Sequence, residues 1–244
     1  MNKRKVLWYS PHLGRELTLV RWGHYGQPLV LFPTAGGDAE ECERMWMIRA
    51  LSPLIEAGRL KVYSPDHIAG WHWIDDSVSP ARKVAVQQAY NRFIAEELTR
   101  AIRLDCGGYT EPLLAAGYSL GGFQAFAATL RHPEHFRGAI CLSSPYDLSG
   151  WVEGGPHPPD FHYTSPLHFL PTLEDRELLD RLSRVRLFLV HGRGRYEKPW
   201  RAWPVADLLG RKGIPNRVDL WDESHDHDWV AWRDQLPFYL DHLT

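Results

Sequence analysis

Leu113-Leu114-Ala115-Ala116-Gly117-Tyr118-Ser119-Leu120-Gly121-Gly122 reads as a short apolar strand that runs into Gly-x-Ser-x-Gly. A helix of small and aromatic residues follows, including Phe123, Ala125, Phe126 and Ala128. A serine in this spacing between strand and helix is expected on a sharp turn with positive φ. Strand and helix approach so closely there that side chains two residues to either side have no room. Glycine at 117 and 121 removes both Cβ atoms. The start of the helix directs amide N–H groups and the positive end of its dipole at the serine oxygen. Ser119 is therefore the candidate nucleophile.

On both sides of this stretch, strands and helices alternate. Val6–Ser10 and Glu16–Trp22 read as two strands around the turn 11–15, which predicts an antiparallel hairpin at the start of the chain. Pro28 to Phe32 is a continuous apolar run, as expected of a strand buried on both faces. It leads into Pro33-Thr34-Ala35-Gly36-Gly37. A helix is predicted over 41–57, a strand over 60–63 and a loop over 64–76. Ser79 and Pro80 open the longest helical pattern, with apolar residues at Val86, Tyr90, Phe93, Ile94, Leu98 and Ile102. After the nucleophile helix come a strand over 136–142, a helix over 174–184, a strand over 185–190 and a helix over 200–212. A last strand over 217–221 and a helix over 229–243 complete the pattern. The alternation predicts a mostly parallel, doubly wound α/β sheet in a single domain over 1–244. Residues 147–171, rich in Gly, Pro, His and aromatics after the sixth strand, break the periodicity and read as a loop-rich excursion over the site.

Composition narrows the function classes. A net charge of −2 offers no electrostatic reason to expect nucleic acid or an anionic membrane as partner. Three cysteines, an odd number without short spacing, suggest neither a disulfide framework nor a metal knuckle. The basic start, Asn2-Lys3-Arg4-Lys5, is followed by a segment too short and polar for a secretory signal, so a cytoplasmic protein is expected. The sequence leaves homo-oligomerisation open.

A serine hydroxyl needs a neighbouring base, and the base needs a group to orient it. In an α/β sheet these groups sit beyond the carboxyl ends of successive strands. The base should follow the last strand, where His225 and His227 stand; His227, beside the start of the final helix, is favoured. The acid should follow the preceding strand, where Glu197 is the first carboxylate; Asp147 is the alternative, and Asp207 lies too far into a helix. Two backbone donors for an oxyanion are expected from Leu120, after the nucleophile, and from Ala35, with Gly36 beside it. The ligand types crowded at 222–228 lack tetrahedral or facial-triad spacing, so no metal or other cofactor is expected. Gly36, Tyr118, Trp71, Trp151 and Trp229 are the candidate substrate-binding residues; Trp73, Phe161 and Trp200 could add to the same aromatic wall.

These motifs resemble the putative-esterase (esterase D-like) family of α/β-hydrolases along nearly the whole chain. The resemblance rests on Phe32-Pro33-Thr34-Ala35-Gly36-Gly37, Gly117-Tyr118-Ser119-Leu120-Gly121-Gly122, the run 130–138, Ser144-Pro145-Tyr146-Asp147-Leu148, and His227-Asp228-Trp229 with Trp232, Arg233 and Leu236. The last pattern points to His227. Two departures stand out: Pro33-Thr34 replaces the His-Gly of many relatives, and the loop from Gly192 carries Glu197 instead of the common Gly-x-x-Asp. The resemblance implies an α/β-hydrolase fold and hydrolysis of a small-molecule carboxylic ester through an acyl-enzyme on Ser119. Mycolyltransferase-type relatives make acyl transfer the alternative, and a non-catalytic binding protein on the same fold is the reading from a different class.

Overall fold

Apolar runs without alternation form the middle of the sheet because they are covered on both faces. The computed structural model describes residues 2–153, 157–158 and 160–244. Its eight strands are β1 (Lys3–Ser10), β2 (Arg15–Trp22), β3 (Gln27–Phe32), β4 (Leu60–Pro65), β5 (Leu113–Tyr118), β6 (Phe136–Leu142), β7 (Arg186–His191) and β8 (Asn216–Leu220). They lie in the order β1-β2-β4-β3-β5-β6-β7-β8. The β1–β2 hairpin pairs antiparallel with itself and with β4, and all other pairings are parallel. This is the α/β-hydrolase fold with the antiparallel hairpin at one edge.

Four helices cover the sheet: α1 (Pro80–Arg92), α2 (Leu120–Arg131), α3 (Ala202–Arg211) and α4 (Trp229–Leu243). Side chains alternate across each strand, so Val30, Phe32 and Ala115 join one core with Tyr90, Phe123, Phe126 and Leu209 of α1, α2 and α3. Leu29, Leu31 and Ala116 join the other with Met47, Leu51, Trp232 and Leu236. The long helical pattern from Pro80 continues past α1 through a π-helical stretch, Phe93–Leu98, to Asp105. A buried amide network locks α2 to α1. Gln87 Nε2 donates to Gln124 Oε1 at 2.7 Å, Gln124 Nε2 donates to Asn91 Oδ1 at 3.2 Å, and Trp73 Nε1 donates to Gln87 Oε1 at 2.8 Å.

Three local expectations differ from the structure. The helix expected over 41–57 is three short turns, Glu41–Arg44, Met47–Ala50 and Ser52–Glu56. Trp46 at φ 67° interrupts it, and Pro53 begins the last turn, where a ring without an N–H cannot continue a preceding helix. The expected loop 64–76 contains a helix, Ile68–Trp73, held by burial of Ile68, Ala69 and Trp73 more than by propensity. Among the described residues, the excursion 147–171 and its exit hold four short helical turns, Ser149–Trp151, Phe161–Thr164, Pro166–Phe169 and Leu170–Thr172. Part of it packs on α1, where Gln88 Nε2 donates to Thr164 Oγ1 at 3.1 Å. Positions 154–156 and 159 of the excursion lie outside the described residues.

The turn around Ser119 is set by contact distances. A Cβ on Gly117 would stand 2.2 Å from the carbonyl oxygen of Gly121, and one on Gly121 would stand 2.1 Å from that of Pro33. Both obstacles are backbone and cannot step aside. Gly121→Ala is expected to lower stability by about 3 kcal/mol through overpacking, read as a fall of roughly 10 °C in the thermal midpoint. A midpoint unchanged within about 2 °C would show that the turn can open.

Candidate active site

Ser119 sits at φ 53° and ψ −126°, between the end of β5 and the first residue of α2. Its backbone N–H donates to Leu142 O at 2.9 Å, and its carbonyl accepts from Gly122 N at 3.0 Å. Both ends of the strained residue are thereby held. A non-glycine residue in this region is costly and persists where the surroundings over-determine it. Ser119 opens into a cavity of about 350 Å³ at the carboxyl ends of the strands, shared with Ala35, Leu120, His191 and His227. A larger hollow of about 560 Å³ lies at the other end of the sheet, beside Gln27, Lys61 and Arg137. Its wall carries no serine, and its histidine, His24, follows β2 at the end of the sheet away from Ser119.

The segment after β3 is pinned from three sides. The Glu41 carboxylate accepts from the backbone N–H and the hydroxyl of Thr34, at 2.8 and 2.6 Å. His67 Nδ1 donates to the carbonyls of Pro33 and Thr34, each at 3.0 Å. Trp71 Nε1 donates to Gly37 O at 2.8 Å. Burial pushes the His67 pKa down to about 4, so this anchor stays neutral and keeps its geometry near neutral pH. Among the described residues, the Ala35 N–H has no hydrogen-bond acceptor. Leu120 is the first residue of α2, where an amide has no carbonyl of its own helix to bond. Two amides at the cavity wall are thus available to an oxygen beside Ser119.

Two loops supply the remaining groups, and they are built against each other. Gly194 N donates to His225 O at 3.0 Å, and Tyr196 N donates to Asp226 Oδ1 at 2.7 Å. A Cβ on Gly192 would fall 1.8 Å from His225 O, so only glycine lets the loops touch. This docking brings Glu197 and His227 to the same end of the sheet. Glu197 is 5% exposed, with one carboxylate oxygen accepting from Ser143 Oγ and the other from His191 Nδ1 at 3.1 Å. Trp232 Nε1 donates to Ser143 Oγ at 2.9 Å, tying the acid to α4. Among the described residues, no hydrogen bond joins the His227 ring to Glu197 or Ser119. Each carboxylate oxygen keeps a second lone pair with which to accept from an imidazole. Burial lowers the His227 pKa below the usual histidine value, and Glu197 is the strongest charged neighbour pulling it back up.

The alternatives lie elsewhere. His225 Nδ1 donates to Asp222 Oδ1 at 2.8 Å and its ring stands 4.7 Å from that of Trp221, outside the cavity wall. Asp147 accepts from the N–H and hydroxyl of Ser149, and Asp207 pairs with Arg211 on α3. Among the described residues, no three His, Cys, Asp or Glu side chains are grouped to hold a metal ion.

The aromatic candidates divide. Trp151 lines the cavity. Gly36 stands at its edge, where an added Cβ would lie 3.6 Å from Ile74 Cδ1. Tyr118 does not reach the cavity. Side chains alternate along β5, and its ring is buried on the far face, 4.7 Å from Trp229 and 5.1 Å from Trp232. Trp229 packs on that same cluster instead of the cavity. Trp71 holds the segment after β3, Trp73 and Phe161 are core, and Trp200 is 63% exposed. Sequence reasoning missed Ser143, His191, Glu41 and His67. Ser143 and His191 carry a readable signal, since each stands where a predicted strand ends; Glu41 and His67 act through contacts that no local pattern reveals.

Comparison with known proteins agrees with this fold. A ferulic acid esterase structure superposes with a TM-score of 0.75 at 16% identity, over 100% of this chain and 97% of that one. An S-formylglutathione hydrolase from Agrobacterium tumefaciens gives 0.71 at 17% identity, over 99% and 95%. MPT51 from Mycobacterium tuberculosis gives 0.74 at 15% identity, over 100% and 98%. At such identities these likenesses establish the fold alone. No curated protein matches the sequence. Among the described residues, no helix is long and apolar enough to cross a membrane. The family model described as "Putative esterase" matches residues 62–243, from within β4 through α4 and thus across the serine turn and both docked loops. The chain therefore belongs to the putative esterase family, hydrolases that act on esters.

Proposed function

We propose that the protein is a serine esterase that cleaves carboxylic esters of small molecules through an acyl-enzyme on Ser119. The observation that carries this reading is the strained Ser119 at φ 53° in a cavity shared with Ala35, Leu120 and His227. Ser119 Oγ attacks the ester carbonyl while His227 takes its proton. Glu197 orients the imidazole, and the amides of Ala35 and Leu120 stabilise the oxyanion, each for about 10²–10³ in rate. His227 then protonates the departing alcohol, and water attacks the acyl-enzyme by the same route in reverse.

Two measurements test the reading. A fluorophosphonate should label Ser119, and p-nitrophenyl acetate or butyrate should be turned over. An unlabelled protein with no turnover would leave only the non-catalytic binding reading. The base must be neutral to act, and burial lowers the His227 pKa. Activity is therefore present at high pH and lost as pH falls through a value below the ordinary histidine range of about 6.5. The acid limb of kcat/KM should have its midpoint below about 6.5. A midpoint above about 7 would mean that His227 is not the group titrated.

A further inference from the structure

The cavity beside Ser119 carries a charge opposite in sign to that of the whole protein. Its wall includes Lys198 and Arg201 and no carboxylate, although the chain has a net charge of −2. Some basic side chains elsewhere are paired with acids, among them Lys3 and Lys5 with Glu40, Arg59 with Asp241, Lys61 with Asp105 and Arg211 with Asp207. Among the described residues, neither Lys198 nor Arg201 has an ion pair or a side-chain hydrogen bond.

The nearby acids are committed to other partners. Glu197 accepts from Ser143 and His191. Asp226 accepts from the backbone amides of Tyr196 and His227. Asp222 accepts from Ser224 and His225, and Asp228 caps α4 by accepting from Ala231 N. The two cations are also placed by rigid neighbours. Lys198 directly follows the buried Glu197, and Arg201 directly precedes α3. Arg201 stands close enough to His227 to disfavour its protonated form, which sets it within electrostatic reach of the reacting centre. Two unpaired cations in a concave wall focus potential on an anion more than the same charges on a convex surface.

We propose that Lys198 and Arg201 make this site selective for esters that carry a carboxylate, a substrate class that rests on the esterase reading above. A cavity of about 350 Å³ suits a short ester with one such group. The carboxylate can lie on the acyl or the alcohol part, and two substrate pairs separate the cases. The first compares p-nitrophenyl hydrogen adipate with p-nitrophenyl hexanoate, and the second compares 4-acetoxybenzoate with phenyl acetate. In one pair the charged ester should have a kcat/KM about tenfold or more above its neutral partner at low ionic strength. That ratio should shrink as salt rises to about 0.5 M. In Lys198→Gln with Arg201→Gln the ratio should fall toward one, and Lys198→Arg should retain most of it. A ratio near one for both pairs in the unaltered protein overturns the proposal, as does a ratio that survives the double substitution. If fluorophosphonate labels Ser119 but no charged ester is preferred, this proposal alone fails. If there is neither labelling nor turnover, the esterase reading fails and takes the proposal with it.

Discussion

Ser119→Ala should lower the turnover of p-nitrophenyl acetate by about 10³-fold or more and abolish labelling by fluorophosphonates. The reason is local. Ser119 alone joins β5 to the first residue of α2, and the neighbouring Tyr118 turns its ring to the far face of the sheet. Ser143 and Ser144 also line the cavity, but the Ser143 hydroxyl is held by Glu197 and Trp232, and that of Ser144 donates to Leu142 O. Neither can replace the missing nucleophile. A factor of 10³ corresponds to about 4 kcal/mol of transition-state stabilisation. The fold should survive the change, since alanine keeps the Cβ and removes only an oxygen that makes no hydrogen bond among the described residues. The thermal midpoint should stay within a few degrees of its original value, about 1 kcal/mol for a domain of this length. Circular dichroism beside the kinetics separates loss of chemistry from loss of fold. Turnover within tenfold of the unaltered protein would exclude Ser119 as nucleophile.

Glu197→Ala should reduce both activity and stability, and the pairing of the two effects is its signature. The carboxylate accepts from Ser143 Oγ and His191 Nδ1 deep in the protein, and Ser143 in turn accepts from Trp232. Removing it leaves two buried donors without an acceptor, at about 1–3 kcal/mol each. A drop of roughly 3 kcal/mol in stability and of about 10²–10⁴ in kcat is expected. Glu197→Gln keeps one acceptor oxygen and the side-chain volume, so it should recover much of the stability while activity stays low. Asp147→Asn and Asp207→Asn test the rival acids, and neither should change kcat by more than about twofold, as for surface changes away from the site. Equal activity in Glu197→Gln and the unaltered enzyme would mean that Glu197 holds the loop together without orienting the base.

The strand–serine–helix turn was legible in the sequence because its requirements are local. Gly117 and Gly121 are needed for contacts between neighbouring segments, and an apolar run followed by a small-residue helix marks both flanks. The mostly parallel sheet with its antiparallel edge hairpin, and the placement of residues beyond strand ends, follow from the same alternation; the strand order is decided by the tertiary structure. The helical turns at 41–56 and the helix at 68–73 were less legible, since they are decided by burial against β3 and the segment that follows it and not by periodicity.

Residue chemistry and chain order place Ser119, Glu197 and His227 beyond the ends of predicted strands, with Asp147 and His225 left as alternatives. Which side chains enter the cavity was settled only in three dimensions. The face of β5 that Tyr118 occupies turns its ring away from the site, and the docking of the loop at Gly192–Glu197 against His225 and Asp226 separates His227 from His225. The unpaired state of Lys198 and Arg201 belongs to the same category. A sequence records which charges exist, but only packing decides which of them are left without a partner, because pairing depends on distances between segments far apart in the chain.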